Sequence, residues 1–181
     1  MSVYSTILSH KQQSAKLLAI LIDPDKEKVY LPLLSKLKQA DLVFVGGSTG
    51  ENVEPCIAML REHTNAPLII FPGNASQFSP QADALLFLTL LNARTADMLI
   101  EPHVQMAIPI HKSGIEAIPM GYILIDGGRK SSVEIVSNCD PIPQSEVGKI
   151  VSTAIAGQLL GKQLIYLEAG SGAKMSISPD I

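Results

Sequence analysis

The chain has 181 residues, of which 46% are hydrophobic and 17% are charged, and it carries a net charge of −3. This length and apolar content are enough for one sizeable core, so we expect a single domain over residues 1–181. The acidic balance excludes a general nucleic-acid binder, because such proteins need a basic face.

The sequence carries no signal for targeting or for disulfide formation. Residues 1–16 lack a continuous apolar core, and the run 84–91 is far shorter than the ~20 apolar residues that a transmembrane helix requires. Cys56 and Cys139 have no metal-ligand spacing and fit a reducing compartment. We therefore expect a cytoplasmic protein without a transmembrane segment.

Six short apolar runs divide the chain, and turn residues or a polar residue follow each of them. Because they do not alternate with polar residues, they are typical of strands buried on both faces, as in parallel sheets. Helical periodicity lies between several of them, most clearly at 147–159, where Ser145 is a candidate cap and Gly161 a candidate stop. The six runs lie at residues 17–22, 42–45, 68–71, 84–88, 122–125 and 164–167.

Strand, loop and helix in repetition predict a parallel α/β fold, with functional residues at the carboxyl ends of the strands. Two architectures compete, an open doubly wound sheet and a (β/α)8 barrel. DPDK at residues 23–26 stands where a dinucleotide-binding sheet would carry GxGxxG, and no P-loop pattern occurs there. We therefore favour the barrel, although it needs eight strands and typically ~250 residues.

The first two strand ends offer oxygen ligands for a metal ion. Asp23 follows the first strand, and Ser48 lies in the stretch VGGSTG after the second. A carboxylate with a nearby hydroxyl suits Mg²⁺, which keeps several waters and binds through substrate phosphates. The alternatives are that Asp23 closes a turn or caps a helix, and that the glycines form an ordinary turn.

Residues 92–120 depart from the simple repeat. They are rich in Met, Ile and Leu and are interrupted by Pro102, Pro109 and Pro119. One interpretation is a helix followed by a packed connection, and the other is one wall of an elongated apolar binding groove. The sequence alone does not separate the two.

The last run ends in the most informative pattern, YLEAGSGA at residues 166–173. The glycines and serine of residues 170–172 can present backbone N–H groups to a phosphate. Tyr166 and Glu168 share one face of the strand, because side chains alternate with period two. A carboxylate beside a phosphate is unfavourable unless it has a role, such as accepting a proton from a hydroxyl on the same ligand. The alternative is a glutamate neutralised by a neighbouring Lys or Arg.

In this order, five stretches closely resemble the geranylgeranylglyceryl phosphate synthase family, which includes bacterial heptaprenylglyceryl phosphate synthases. They are LIDPDK, VGGS, PLIIFPGN, GYILIDGG and VSTAIAGQLLGKQLIYLEAGSGA, and the resemblance runs over essentially the whole chain. It implies a modified (β/α)8 barrel of the TIM type. The implied reaction joins a polyprenyl diphosphate, in our expectation geranylgeranyl diphosphate, to the 3-hydroxyl of sn-glycerol 1-phosphate in ether-lipid biosynthesis. It also implies a homo-oligomer and a peripheral membrane contact for product release.

The same resemblance implies roles for individual residues. Asp23 and Ser48 would hold Mg²⁺ on the diphosphate. Glu168 would accept the proton of the attacking hydroxyl, and Tyr166 would position it or stabilise developing positive charge. Residues 85–106 would line the prenyl channel. Glycerol phosphate would be bound by Tyr166, Leu167, Glu168, Ala169, Gly170, Ser171 and Gly172.

Family members continue through two further βα units. We therefore interpret the sequence as the family barrel truncated after about six βα units, either a piece of a longer protein or a shorter relative. Two other functions stay open: another phosphate-binding barrel enzyme, such as an isomerase or aldolase, and a non-catalytic phosphate- or lipid-binding relative. A Schiff-base aldolase would need a lysine at a strand end, and none of the six runs ends in one.

Overall fold

The computed structural model describes residues 2–47 and 52–181, and in these ranges six β-strands alternate with helices. The strands are β1 Ala19–Ile22, β2 Leu42–Val45, β3 Leu68–Ile70, β4 Ala84–Leu90, β5 Glu116–Leu124 and β6 Leu164–Glu168. The helices are α1 Val3–Gln12, α2 Glu27–Tyr30, a 3₁₀ helix Leu31–Gln39, α3 Val53–Arg61, α4 Ala96–Leu99, α5 Glu101–Ser113, α6 Ser132–Ser137 and α7 Val147–Leu159.

The strands are parallel neighbours in chain order, β1-β2-β3-β4-β5-β6. The register pairs Ala19 with Leu42 between β1 and β2, and Leu124 with Glu168 between β5 and β6. A doubly wound sheet reverses its strand order at a switch point, whereas a barrel places successive strands side by side. The observed order confirms the barrel-type interpretation of the sequence.

Burial explains why contiguous apolar runs were the correct strand signal. All three residues of β3 are fully buried, and Leu85 and Leu86 are buried side by side in β4. Successive side chains of a strand point to opposite faces, so both faces of these strands are covered. All six predicted strands are present, and β5 begins earlier than predicted, at Glu116.

The chain forms two compact units. Unit 1 comprises Met1–Leu86 with Gln105–Ile118, and unit 2 comprises Phe87–Val104 with Pro119–Ile181. In unit 1, the amides of Val3 and Tyr4 donate to the Glu116 carboxylate at 2.6 and 3.1 Å, which ties α1 to the start of β5. In unit 2, α7 contacts β6, and its glycine at position 157 allows the close approach of Leu91.

Within residues 92–120 the structure contains helices rather than an irregular connection. α5 has Pro102 in its first turn, where a missing N–H costs nothing, and it carries Pro109 inside. Gly114, at φ 69°, turns the chain directly into β5. The helix interpretation is confirmed, while the expected packed connection is replaced by the first residues of β5. No helix in the described ranges is long and apolar enough to cross a bilayer.

Helix α7 has its predicted extent, but its apolar residues do not all face inward. Glu146 is the N-cap residue rather than Ser145, and Gly161 follows the last turn at φ 86°. Ile150 is buried, whereas Leu159 is 83% exposed. The periodicity therefore predicted the helix correctly, while its apolar residues divide between a buried side at Ile150 and an exposed side at Leu159.

Candidate functional site

The end of β1 carries a carboxylate that is already paired with a cation. An oxygen of Asp23 lies 2.8 Å from Nζ of Lys26, and the other accepts the amide of Asp25 at 3.2 Å. The latter contact closes the turn after the strand, so the turn role foreseen for Asp23 is real. It does not exclude a metal role, because the same carboxylate attracts and holds positive charge.

Gly47, at the end of β2, lies directly against this carboxylate. A side-chain carbon at Gly47 would collide with the Asp23 carboxyl group, and one at Gly46 would collide with the carbonyl of Phe71. The glycines therefore permit close contacts within the protein, in addition to any approach of a ligand. Ser48, the second predicted metal ligand, lies outside the described residues, so its predicted role stays a prediction.

A buried glutamine holds this strand end in place, and sequence reasoning missed it. Gln77 is fully buried; its Nε2 donates to the Gly47 carbonyl at 2.6 Å, and its Oε1 accepts the Gly73 amide at 2.9 Å. One carboxamide thus joins the loops after β2 and β3. The only local signal was its place in the loop after a strand, which is common to many glutamines.

The donor chemistry at Asp23 fits a hard cation such as Mg²⁺. Within the described ranges there is no group of three or more His, Cys, Asp or Glu side chains that could hold a metal ion. Mg²⁺, however, is commonly held by one or two carboxylates together with waters and substrate phosphates. A half-buried carboxylate that already attracts the Lys26 ammonium satisfies that requirement.

The end of β6 carries the second carboxylate, and here the partners are neutral. An oxygen of Glu168 accepts the amide of Gly170 at 2.7 Å, and Tyr166 hydrogen-bonds to the same carboxylate. Among the described residues the ion pairs are Lys26–Asp23, Arg61–Asp83 and Lys149–Glu146, and none involves Glu168. The alternative of a glutamate neutralised by Lys or Arg is therefore not observed.

Two tyrosines line the same face as Glu168. Tyr122 of β5 pairs in register with Tyr166 of β6, and their rings stack with centroids 5.4 Å apart. Burial, the charge of Glu168 and the hydrogen bond to it raise the pKa of Tyr166 to about 12. Burial and the same carboxylate raise the pKa of Tyr122 as well. Both phenols therefore stay protonated at neutral pH and can donate hydrogen bonds.

The loop after β6 provides unpaired backbone donors. Gly170 and Gly172 have φ values of 94° and 73°, which favour glycine. Within the described part of the chain, the amides of Ser171 and Gly172 make no hydrogen bond, and both residues are exposed. Such donors are suited to an anion. The amide of Gly170, in contrast, is already bonded to Glu168, and the phosphate-binding role predicted for residues 170–172 stays a prediction.

The residues expected to line a prenyl channel have mixed environments. Leu85, Leu86 and Met106 are buried in unit 1, whereas Ile100 and Val104 are 55% and 61% exposed. Ile100 joins α4 to α5, and Val104 lies four residues later in α5. The channel assignment stays a prediction.

Comparisons with known proteins cover nearly the whole chain. The profile of the PcrB family matches residues 10–180. The geranylgeranylglyceryl phosphate synthase of Flavobacterium johnsoniae is 46% identical over 97% of this chain and 75% of its own length. That of Zunongwangia profunda is 42% identical over 99% of this chain and 79% of its own length.

Solved structures give the same relationship. The crystal structure of (S)-3-O-geranylgeranylglyceryl phosphate synthase from Thermoplasma acidophilum, in complex with substrate sn-glycerol-1-phosphate, matches with a TM-score of 0.88 and 32% identity. The match covers 99% of this chain and 74% of the Thermoplasma acidophilum chain. The wild-type synthase from Thermoplasma volcanium matches with a TM-score of 0.87. The chain therefore belongs to the PcrB family, as the resemblance of its motifs predicted.

Proposed function

We propose that this chain is a Mg²⁺-dependent prenyltransferase that forms an ether between a polyprenyl diphosphate and the 3-hydroxyl of sn-glycerol 1-phosphate. The observation that carries the proposal is the TM-score of 0.88 to a synthase crystallised with sn-glycerol-1-phosphate. The identities of 42% and 46% to two bacterial geranylgeranylglyceryl phosphate synthases support geranylgeranyl diphosphate as the prenyl donor.

Glu168 is the proposed base. In the reaction, the glycerol oxygen forms a bond to the first prenyl carbon, the bond from that carbon to diphosphate breaks, and the diphosphate leaves with the electron pair. The hydroxyl proton passes to Glu168, whose carboxylate has neutral hydrogen-bond partners and no ion pair within the described part of the chain. A positioned base contributes typically ~10²–10⁴ in rate.

Tyr166 and the loop after it are the proposed orienting groups. The hydrogen bond from Tyr166 holds the carboxylate of Glu168, and the high pKa of Tyr166 keeps this phenol a donor. The unpaired amides of Ser171 and Gly172 would bind the phosphate of the glycerol substrate. A phosphate bound at residues 170–172 places its ester glycerol within reach of the strand that carries Glu168.

Asp23 and Ser48 are the proposed holders of the metal ion. Bound Mg²⁺ would neutralise charge on the departing diphosphate. Asp23 supplies a carboxylate oxygen, and Lys26, which contacts it at 2.8 Å, can then turn toward a phosphate oxygen. A cytoplasmic location, assembly into homo-oligomers and a peripheral membrane contact for product release complete the proposal.

The test is ether formation by the full 181-residue chain. Wild type is incubated with sn-glycerol 1-phosphate and geranylgeranyl diphosphate, with Mg²⁺ or with a chelator, and the product is measured by mass spectrometry. We expect an ether product that requires Mg²⁺. Absence of product with donors of every prenyl length would refute the proposal and favour a non-catalytic phosphate-binding relative.

A further inference from the structure

An arginine that pairs with no carboxylate of the described residues lies beside the loop after β6. Nη1 of Arg129 is 3.5 Å from the carbonyl of Gly172, a long contact, and Arg129 is exposed. In the described ranges no carboxylate pairs with Arg129. Most of its five N–H donors are therefore available to a ligand.

The loop that carries Arg129 packs closely against the loop after β6. A side-chain carbon at Gly127 would collide with the carbonyl of Ala169, so the loop after β5 touches the loop after β6 backbone to backbone. The carbonyl of Gly127 accepts the amides of Lys174 and Met175 at 2.8 and 3.1 Å. Arg129 follows this contact by two residues, and its Nη1 lies 3.5 Å from the Gly172 carbonyl.

Glycine at 172 is needed for this arrangement. A side-chain carbon there would lie 3.1 Å from Nη1 of Arg129, closer than ordinary van der Waals contact, and the φ of 73° disfavours other residues. At Gly170 a side-chain carbon would lie 2.6 Å from Cβ of Ser131. The loop thus leaves room for the guanidinium beside the unpaired amides of residues 171 and 172.

We propose that Arg129 is a phosphate-binding residue of this site, which takes the phosphate of sn-glycerol 1-phosphate together with the amides of Ser171 and Gly172. The inference rests on the proposed function, because that function supplies the ligand. Arginine suits the task, since its planar guanidinium can donate two parallel hydrogen bonds to a phosphate. It also adds positive charge where Glu168 would otherwise repel a dianionic phosphate.

Calorimetric titration of the full chain with sn-glycerol 1-phosphate tests this role. Arg129→Met should raise Kd by about 10- to 100-fold, since a hydrogen bond to a charged group is lost. Arg129→Lys should recover part of the affinity, because it keeps the charge but not the planar fork. Lys130→Met, which removes the neighbouring exposed cation, is the matched control and should change Kd by less than about twofold.

Inorganic phosphate provides a second measurement that a purely structural role would not change. It should displace sn-glycerol 1-phosphate from wild type, and added salt should weaken wild-type binding more than that of Arg129→Met. Unfolding midpoints of the variants should equal that of wild type, since Arg129 is exposed. An equal loss of affinity for sn-glycerol 1-phosphate in Arg129→Met and Lys130→Met would overturn the proposal.

Ether formation, measured separately, distinguishes this inference from the proposed function. An ether-forming wild type whose Kd is unchanged by Arg129→Met overturns the role of Arg129 alone. A wild type that binds sn-glycerol 1-phosphate through Arg129 but forms no ether overturns the proposed function alone. A wild type that does not bind sn-glycerol 1-phosphate overturns the role of Arg129.

Discussion

Asp23 in unit 1 and Glu168 in unit 2 both lie at the carboxyl end of a strand, yet their surroundings differ in charge. Asp23 contacts the Lys26 ammonium at 2.8 Å, whereas Glu168 accepts hydrogen bonds from the neutral Gly170 amide and Tyr166. A carboxylate beside a cation is stabilised in its charged form and suits metal binding. One with neutral donors remains free to accept a proton. The same sequence pattern therefore produces two different charge environments, which the proposed function assigns to metal binding at Asp23 and to proton acceptance at Glu168.

The two regions also differ in how they are held. In unit 1, the fully buried Gln77 joins the loops after β2 and β3. In unit 2, the half-buried Gln144 donates to the carbonyls of Asp126 and Ser176 at 2.9 and 3.2 Å and accepts the Ser178 amide at 2.9 Å. A side-chain carboxamide thus replaces backbone pairing where loops meet, and of these two glutamines Gln77 is fully buried whereas Gln144 is partly open to water.

The largest expected effect is on Glu168. Glu168→Ala and Glu168→Gln should lower kcat by about 10²- to 10⁴-fold, because the proton acceptor is lost. The Kd for sn-glycerol 1-phosphate should change little, since the phosphate contacts remain. Steady-state kinetics and calorimetry measure the two quantities.

Asp126→Asn is the matched control for Glu168. Asp126 follows the neighbouring strand and accepts the Gly128 amide at 2.8 Å, a bond that asparagine can also make. We expect a kcat near that of wild type. Wild-type turnover in Glu168→Ala would remove Glu168 from the base role.

The second effect concerns the response to Mg²⁺. Asp23→Asn should raise the half-saturating Mg²⁺ concentration by about tenfold or more, because the charged oxygen ligand is lost. Asp25→Asn, at the next exposed carboxylate of the same loop, should leave the titration near that of wild type. Identical Mg²⁺ titrations for wild type and Asp23→Asn would argue against Asp23 as a ligand.

The third effect sharpens the contrast between the two carboxamides. Gln77→Met should lower the free energy of unfolding by about 1–3 kcal/mol, because the Gly47 carbonyl and the Gly73 amide lose their partner. Gln144→Met should cost less, since water can replace the half-buried side chain. Urea unfolding of both variants measures the difference. Equal losses in the free energy of unfolding would contradict the statement that the buried carboxamide stabilises the protein more than the half-buried one.

The smallest effect is the dependence of stability on high pH. The pKa of Tyr166 is raised from 10.0 to about 12, so the unfolded state releases this proton first as pH rises. The contribution of Tyr166 is fully present below pH 10 and is lost as pH rises from 10 through 12. The midpoint temperature of thermal unfolding should therefore fall more steeply over this pH range for wild type than for Tyr166→Phe. Parallel curves would contradict the raised pKa.

Part of the fold and of the candidate site could be predicted from the sequence. Strand positions were correct because strands covered on both faces consist of contiguous apolar residues, as in β3. Asp23 and Glu168 were expected as site residues because functional residues of parallel α/β folds collect at the carboxyl ends of strands, and Tyr166 because it shares a strand face with Glu168. The structure places Asp23 and Glu168 at strand ends, while the roles of all three residues stay predictions. The start of β5 was missed, since residues 116–120 mix polar, apolar and proline residues without a strand-like run.

The sequence by itself determined the strand positions, the carboxylates at the strand ends and the glycines that follow them, because each leaves a mark within a few neighbouring residues. Only the tertiary structure decided that the strands pair in chain order, that Gln77 holds Gly47, and that Arg129 lies beside Gly172. The contacts of Gln77 and Arg129 join residues 30 and 43 positions apart. Contacts of this kind depend on which loops the sheet brings together, and no local pattern records them.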